Sequence, residues 1–399
     1  MKHHFCNMKT QVKPNTKKMK KQLIFILLFT LTLSSFAQND TTKTKVEFKP
    51  SGKLWGYAFG DFLYKGYTNK FGMTNTQYGS TAKDFSSFEF RRIYLGYDYD
   101  ISEHFAAQLL LAYEGAQFTS DGSRSVYIKG ANLRWKNIFH NSDLVIGAMP
   151  TPSYSTTSEP VWGYRSLEKT IMDMRKIGAS ADVGISLQGK LNDKGDFGYN
   201  LMVSNGSGAK PETDKFKKFY GDAYAKFMDQ KIMLDLGADN EWSQASPYQK
   251  NKTTYKVFLA YITPQITIGI EAFQQVQKNN TIFTEAAPST VKDTVNALAS
   301  GVSVFVRGPI SKKLGYVLRY DYFNPDSKFN KNDVYPASYS GVYTESFVLA
   351  GLDYNPVKNV HFMPNVWYDM YNNRYAAVNN LSTKSNDLAF RLTVYYIFR

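Results

Sequence analysis

Cysteine is almost missing from this chain, and its single copy, Cys6, falls in a segment that reads as a removable leader. A mature chain without thiols excludes structural disulfides, thiolate metal sites and a lipid anchor on an N-terminal cysteine. Histidine is nearly as scarce. Beyond the leader only His104, His140 and His361 remain, each in or beside a short polar turn. No serine or carboxylate partner can be assigned to any of them from sequence, so a hydrolytic or acid–base site lacks its usual base. Walker-type and dinucleotide-binding fingerprints are absent too. No catalytic residue, cofactor or metal site is expected. Long apolar runs are equally rare: the one from Leu23 to Leu33 is about half the length of a spanning helix, which leaves no helical route across a membrane.

That short run has the form of an export signal. Lys17, Lys18, Lys20 and Lys21 precede it, and Ser35-Phe36-Ala37 supplies small residues at the two inspected positions, so cleavage is expected after Ala37. Met19 is an alternative start to Met1 or Met8. Removing residues 1–37 takes away seven lysines and no acid, which lowers the surplus charge from +14 to +7. The basic pI near 9.4 therefore owes half its charge to the leader and gives no case for nucleic-acid binding.

What the chain does have is tyrosine, phenylalanine and glycine: 29, 28 and 27 copies, spread without a Pro/Ser linker or a change in composition. Polar and apolar residues alternate in segment after segment, separated in turn by short polar turns and longer loops. The final segment, Asn386 to Arg399, places Leu388, Phe390, Leu392, Val394, Tyr396 and Phe398 on one face of a strand. An uncovered apolar edge of that length would aggregate in a soluble protein. In a closed transmembrane antiparallel barrel it is the last stave, and a terminal aromatic is the mark read by the barrel assembly machinery, although here Arg399 follows Phe398. Counting segments gives sixteen strands. The expected organisation is an N-terminal extension over 38–52 and an outer-membrane β-barrel over 53–399, bedded in outer-membrane lipid and lipopolysaccharide. Seven turns of about three to seven residues face the periplasm, and eight loops of about ten to thirty face outward.

Alternation sorts the wall. Val183, Ile185, Leu187, Ile232, Leu234 and Leu236 are expected outside, in lipid. Arg92, Arg134, Asp182, Lys190, Asp235, Asp239, Arg307, Arg319 and Arg391 are expected inside, along with Glu114, Asp222, Lys256, Glu271 and Asp321. Unpaired charges in a dry interior cost several kcal/mol each, so this polar set predicts a wet lumen with a solvated charge ladder. The acids Asp235, Asp239 and Glu241 belong to that ladder rather than to a divalent-cation site. The longest loop, about Pro150 to Gly178, carries Arg165, Glu168, Lys169, Arg175 and Lys176 with Glu159 and Asp173, and its segment Val161–Arg175 has helical spacing. These five residues are the expected constriction, and the excess of bases favours anions weakly.

The stretches FEFRRIYLGYDYDISEHFAAQLLLAYEG (Phe88–Gly115), SEPVWGYRSLEKTIMDMRKIGASADVGISLQGKL (Ser158–Leu191) and YNLMVSNGSG (Tyr199–Gly208) resemble the phosphate-selective porin O/P family and related porins of Bacteroidetes. The resemblance covers about a third of the mature chain closely. It implies a sixteen-stranded, commonly trimeric channel for anions or small polar solutes, with Arg91 and Arg92 carrying over as a structural pair. The family's arginine ladder and clustered constriction lysines are not recognisable here. Passive diffusion of small hydrophilic solutes is thus the expected function. Two alternatives stand beside it: a substrate-specific channel for phosphate, or for oligosaccharides along Trp162, Trp242 and Trp367; and an adhesion barrel with a plugged lumen.

Overall fold

The computed structural model describes residues 47–68, 81–115, 117–243, 249–284, 292–330, 335, 339–374 and 384–399. The expected leader, 1–37, and most of the 38–52 extension lie outside the described residues. The unit from Lys49 to Arg399 is one closed barrel in which every strand pairs antiparallel with its sequence neighbours. Its first eight strands are β1 (Ser51–Thr68), β2 (Ser86–Asp100), β3 (Phe105–Tyr113), β4 (Tyr127–Phe139), β5 (Ser142–Pro150), β6 (Ala181–Lys190), β7 (Phe197–Ser204) and β8 (Lys218–Phe227). The second eight are β9 (Ile232–Ser243), β10 (Lys250–Ile262), β11 (Thr267–Thr284), β12 (Lys292–Ser311), β13 (Leu314–Asn324), β14 (Tyr343–Tyr354), β15 (Val360–Asn373) and β16 (Lys384–Phe398). β16 closes the cylinder on β1, with Asp61 opposite Thr393 and Gly56 opposite Phe398, so no strand is left with an open edge.

Seven connections of two to six residues gather at one end of the barrel and eight of six to thirty at the other. Two of the long-end connections, 244–249 and 285–291, are shorter than the expected ten residues; the second is short because β11 and β12 continue to 18 and 20 residues. The outward face follows the alternation. Ile185 and Leu236 are 52% and 53% exposed on the outside while Asp182 and Asp235 are buried inside, and Leu392 and Val394 lie exposed on the closing strand. An Arg at Ile185 should therefore cost about 2–4 kcal/mol in the membrane and reduce the yield of folded barrel, whereas Gln108→Arg, which meets Asp98 in the lumen, should assemble normally. The fraction that migrates fast when unheated on a denaturing gel measures this, and equal yields would contradict the register.

One departure from strict alternation matters for the site. Phe88 and Phe90 point outward at even positions, but Ile93, Leu95, Tyr97 and Tyr99 do so at odd ones. The switch is a β-bulge, seen where the partners of β1 change from Phe59↔Arg92 to Gly60↔Phe90. It turns both Arg91 and Arg92 into the barrel, where alternation had placed Arg92 alone.

Candidate pore constriction

The connection between β5 and β6, residues 151–180, folds into the barrel. Its apolar spacing yields two helical turns rather than one helix over Val161–Arg175: α1 (Ser158–Trp162) and α2 (Ile171–Met174). Gly163 ends α1 in the left-handed region at φ 69°, with the Arg307 guanidinium 3.4 Å from where a Cβ would stand. The loop packs by its apolar side chains. Trp162, Leu167 and Met174 join Phe258, Phe305, Val317, Phe347, Leu349 and Met363 of the wall in one buried cluster. Tyr154, Ile171, Met172 and Ile177 form a second with Phe273, Ala299 and Phe323.

Such short helices satisfy few of their own carbonyls, and the wall supplies the missing donors. Lys256 donates to the Pro152 carbonyl at 3.2 Å, and Arg307 to Val161 at 3.0 and 3.2 Å. Arg91 donates to Ser166 and Leu167, Arg391 to Leu167 at 2.7 Å, Arg319 to Lys169, and Gln275 to Ile177 at 2.9 Å. Each cation keeps an acid as well, Arg307 excepted. Asp61 sits between Arg91 (2.5 Å) and Arg391 (3.3 Å), Asp321 holds Arg319 (2.5 Å), and Lys256 bridges Asp222 (2.8 Å) and Asp235 (2.7 Å). Arg391 also lies 3.6 Å over the Trp367 ring.

These contacts correct the expectation of a uniformly wet lumen. Arg319, Arg391 and Asp235 are buried bolts between loop and wall, and the half-buried Arg307 caps Val161 beside a cavity of about 230 Å³. Asp239 binds Lys218 at 3.1 Å, and Asp182 accepts from Ser204 and the Gly206 amide at the start of the next long connection. The expected aromatic track is not assembled either: Trp162 and Trp367 are buried in the cluster, while Trp242 is exposed, edge-on to Phe219.

Two adjoining cavities lie along the β1–β8 wall. A cavity of about 490 Å³ runs between Lys53, Asp98, Asp100, Gln108, Arg134 and Thr156, and one of about 290 Å³ adjoins it at Arg134, Asp143, Thr156, Gln188, Lys190 and Asn200. Arg134 pairs with Asp143 at 2.8 Å and borders both. Lys190 borders the smaller cavity beside Arg134.

The five expected constriction residues part company. Arg165 is largely buried, its side chain 14% exposed, and is held by Glu159 (3.2 Å) and Asp173 (2.6 Å). Arg92, Tyr57, Tyr94 and Lys129 of the wall lie within electrostatic reach of this acid–base–acid triplet. Burial and the nearby Arg92 push the Arg165 guanidinium toward losing its proton, but Asp173 and Glu159 outweigh them and raise its pKa. Arg175 is buried, its side chain 0% exposed and locked on Glu345 at 2.6 Å, at the edge of a cavity of about 220 Å³. Glu168 is buried, with one oxygen accepting the Lys169 amide at 2.7 Å. Lys169 is half-buried and Lys176 is exposed beside the same cavity at the long-loop end. Two histidines do have the carboxylates that the sequence did not assign: His140 meets Asp193 at 3.1 Å, and His361 meets Asp353 at 2.9 Å, where Tyr164 also donates at 3.2 Å.

The closed sixteen-stranded barrel with an apolar outer band and an infolded third loop is the architecture of bacterial outer-membrane porins. The outer membrane channel DcaP of Acinetobacter baumannii aligns with a TM-score of 0.61 and 15% identity over 90% of this chain and 99% of its own. An anion-selective porin from Comamonas acidovorans aligns at 0.57 with 11% identity over 88% and 100%. OmpT of Vibrio cholerae, in its trimer form, aligns at 0.54 with 12% identity over 88% and 99%. No family model and no curated protein matches the chain.

Proposed function

We propose that the protein is a passive porin through which small hydrophilic solutes diffuse across the outer membrane, its short turns periplasmic and its long connections external. One observation carries this: the infolded loop is fastened to β9–β16 and, through Arg91, to β2, and leaves polar cavities open beside β1–β8. A loop bolted at six carbonyls is a fixed constriction rather than a mobile plug. The charges beside the passage are balanced, with Glu159, Asp173 and Glu114 against Arg165, Arg92 and Lys129, so selectivity is weak. The surplus of +7 expected after leader removal, and the exposed Lys176, tilt it toward anions. The resemblance to phosphate-selective porins supports the same tilt, and a homotrimer fits it. Swelling of liposomes in neutral sugars of increasing size tests the reading. Entry that slows steadily with solute size and does not saturate is expected; saturable uptake of a single sugar would point to a specific channel instead.

A further inference from the structure

Glu114 is the first residue after β3, at the stem of the second long connection, and its side chain remains 21% exposed. It is held by four donors. Arg92 lies 2.9 Å and Lys129 2.8 Å from Oε1, which also accepts from the Tyr94 hydroxyl, and Tyr127 donates to Oε2 at 2.5 Å. The donors are fixed independently of the acid they hold. Arg92 rests on the rings of Phe59 and Tyr94, at 5.7 and 4.8 Å, and Lys129 donates to Ser180 at 2.9 Å. Two cations and two phenols thus converge on one point of the wall, within electrostatic reach of Glu159 and Asp173 on the loop. Burial alone would raise the Glu114 pKa, but Arg92 and Lys129 hold it well below the usual carboxylate range, so the group is an anion.

Arg92, Lys129, Tyr94 and Tyr127 make a seat built for a carboxylate, and the chain fills it with one of its own. We propose that this seat is a binding site for small organic carboxylates passing through the channel, and that Glu114 is its resident occupant and the residue that sets selectivity. While Glu114 is seated, it cancels one of the two wall charges and a passing carboxylate must displace it. Without it, two uncompensated bases face the passage and the seat is open to the solute. The inference rests on the channel reading above.

The test is acetate inhibition of chloride current, with reversal potential in a salt gradient, for the wild type, Glu114→Ala, Glu114→Gln and Asp98→Asn. Among the described residues Asp98 accepts from Trp55 and Gln108, at 2.8 Å each, so its exchange removes one lumen charge without freeing a base. Glu114→Ala should shift the reversal potential toward chloride and show saturable inhibition by acetate. Its half-effect should come at about a tenfold lower concentration than in the wild type, the gain expected for a charge-assisted seat. Saturating acetate should return its reversal potential toward the wild-type value. Glu114→Gln, which fills the space without charge, should fall between. The same acetate dependence in the wild type and Glu114→Ala, or equal inhibition in Asp98→Asn, overturns the proposal. A folded wild type without current would sink the channel reading instead, and calorimetric titration of acetate into Glu114→Ala in detergent would still decide the seat: heat of saturable binding supports it and none refutes it.

Discussion

Asp61→Ala should free the infolded loop. Asp61 is the shared acid of Arg91 and Arg391 and accepts the Thr393 hydroxyl across the β1–β16 seam, while both arginines reach the Leu167 carbonyl. Removing it takes the shared Asp61 charge away from two buried guanidiniums, which costs about 3–5 kcal/mol. The barrel strands keep their own ladders, so the loss falls on the contact between loop and wall. Larger, noisier conductance steps are expected, together with tryptic cleavage at Arg165, Lys169 or Lys176 that the wild type resists. An unchanged conductance with an intact loop would mean that the apolar cluster alone holds it.

Tryptophan replacements should have unequal effects. Trp162 is 1% exposed, meets the Phe305 ring at 5.0 Å and donates from its indole to the Glu168 carbonyl at 2.8 Å. Trp162→Ala opens a cavity in the middle of the loop–wall contact and should cost about 3–5 kcal/mol, read as a lower unfolding midpoint and increased channel noise. Trp242→Ala, on an exposed face, should alter neither by a comparable amount. Equal effects would show that Trp162 does not anchor the loop.

The barrel was legible because a period of two, repeated sixteen times with short and long connections in turn, has few other solutions. The infolded loop was legible as a position but not as a packing. Its docking surface is written in strands that break the polar-inside rule. Phe347 and Leu349 face inward beside the outward Val348 and Ala350, and Phe258 and Phe305 sit in similarly continuous apolar stretches. A strand apolar on both faces is covered on both, and that signal marks the wall that receives the loop. Arg91 was missed for a different reason. Alternation carried through FEFRRIYLG assigns it to lipid, and only the change of parity between Phe90 and Ile93 reveals the bulge. Pairings such as Lys256 with Asp222 and Asp235, or Arg175 with Glu345, join residues distant in sequence, so spacing gave no sign that these charges are spent on holding the loop.

The most direct measurement is single-channel recording of the refolded wild type in symmetric 1 M potassium chloride, on protein shown to be folded by its heat-dependent gel mobility. A fixed constriction beside an open polar passage predicts discrete, stable, ohmic steps, and a weak anion preference at low salt that fades as the Debye length falls to about 3 Å at 1 M. A folded barrel that shows no steps, or one that opens only after Asp61→Ala, would contradict it by showing that the third loop plugs the lumen.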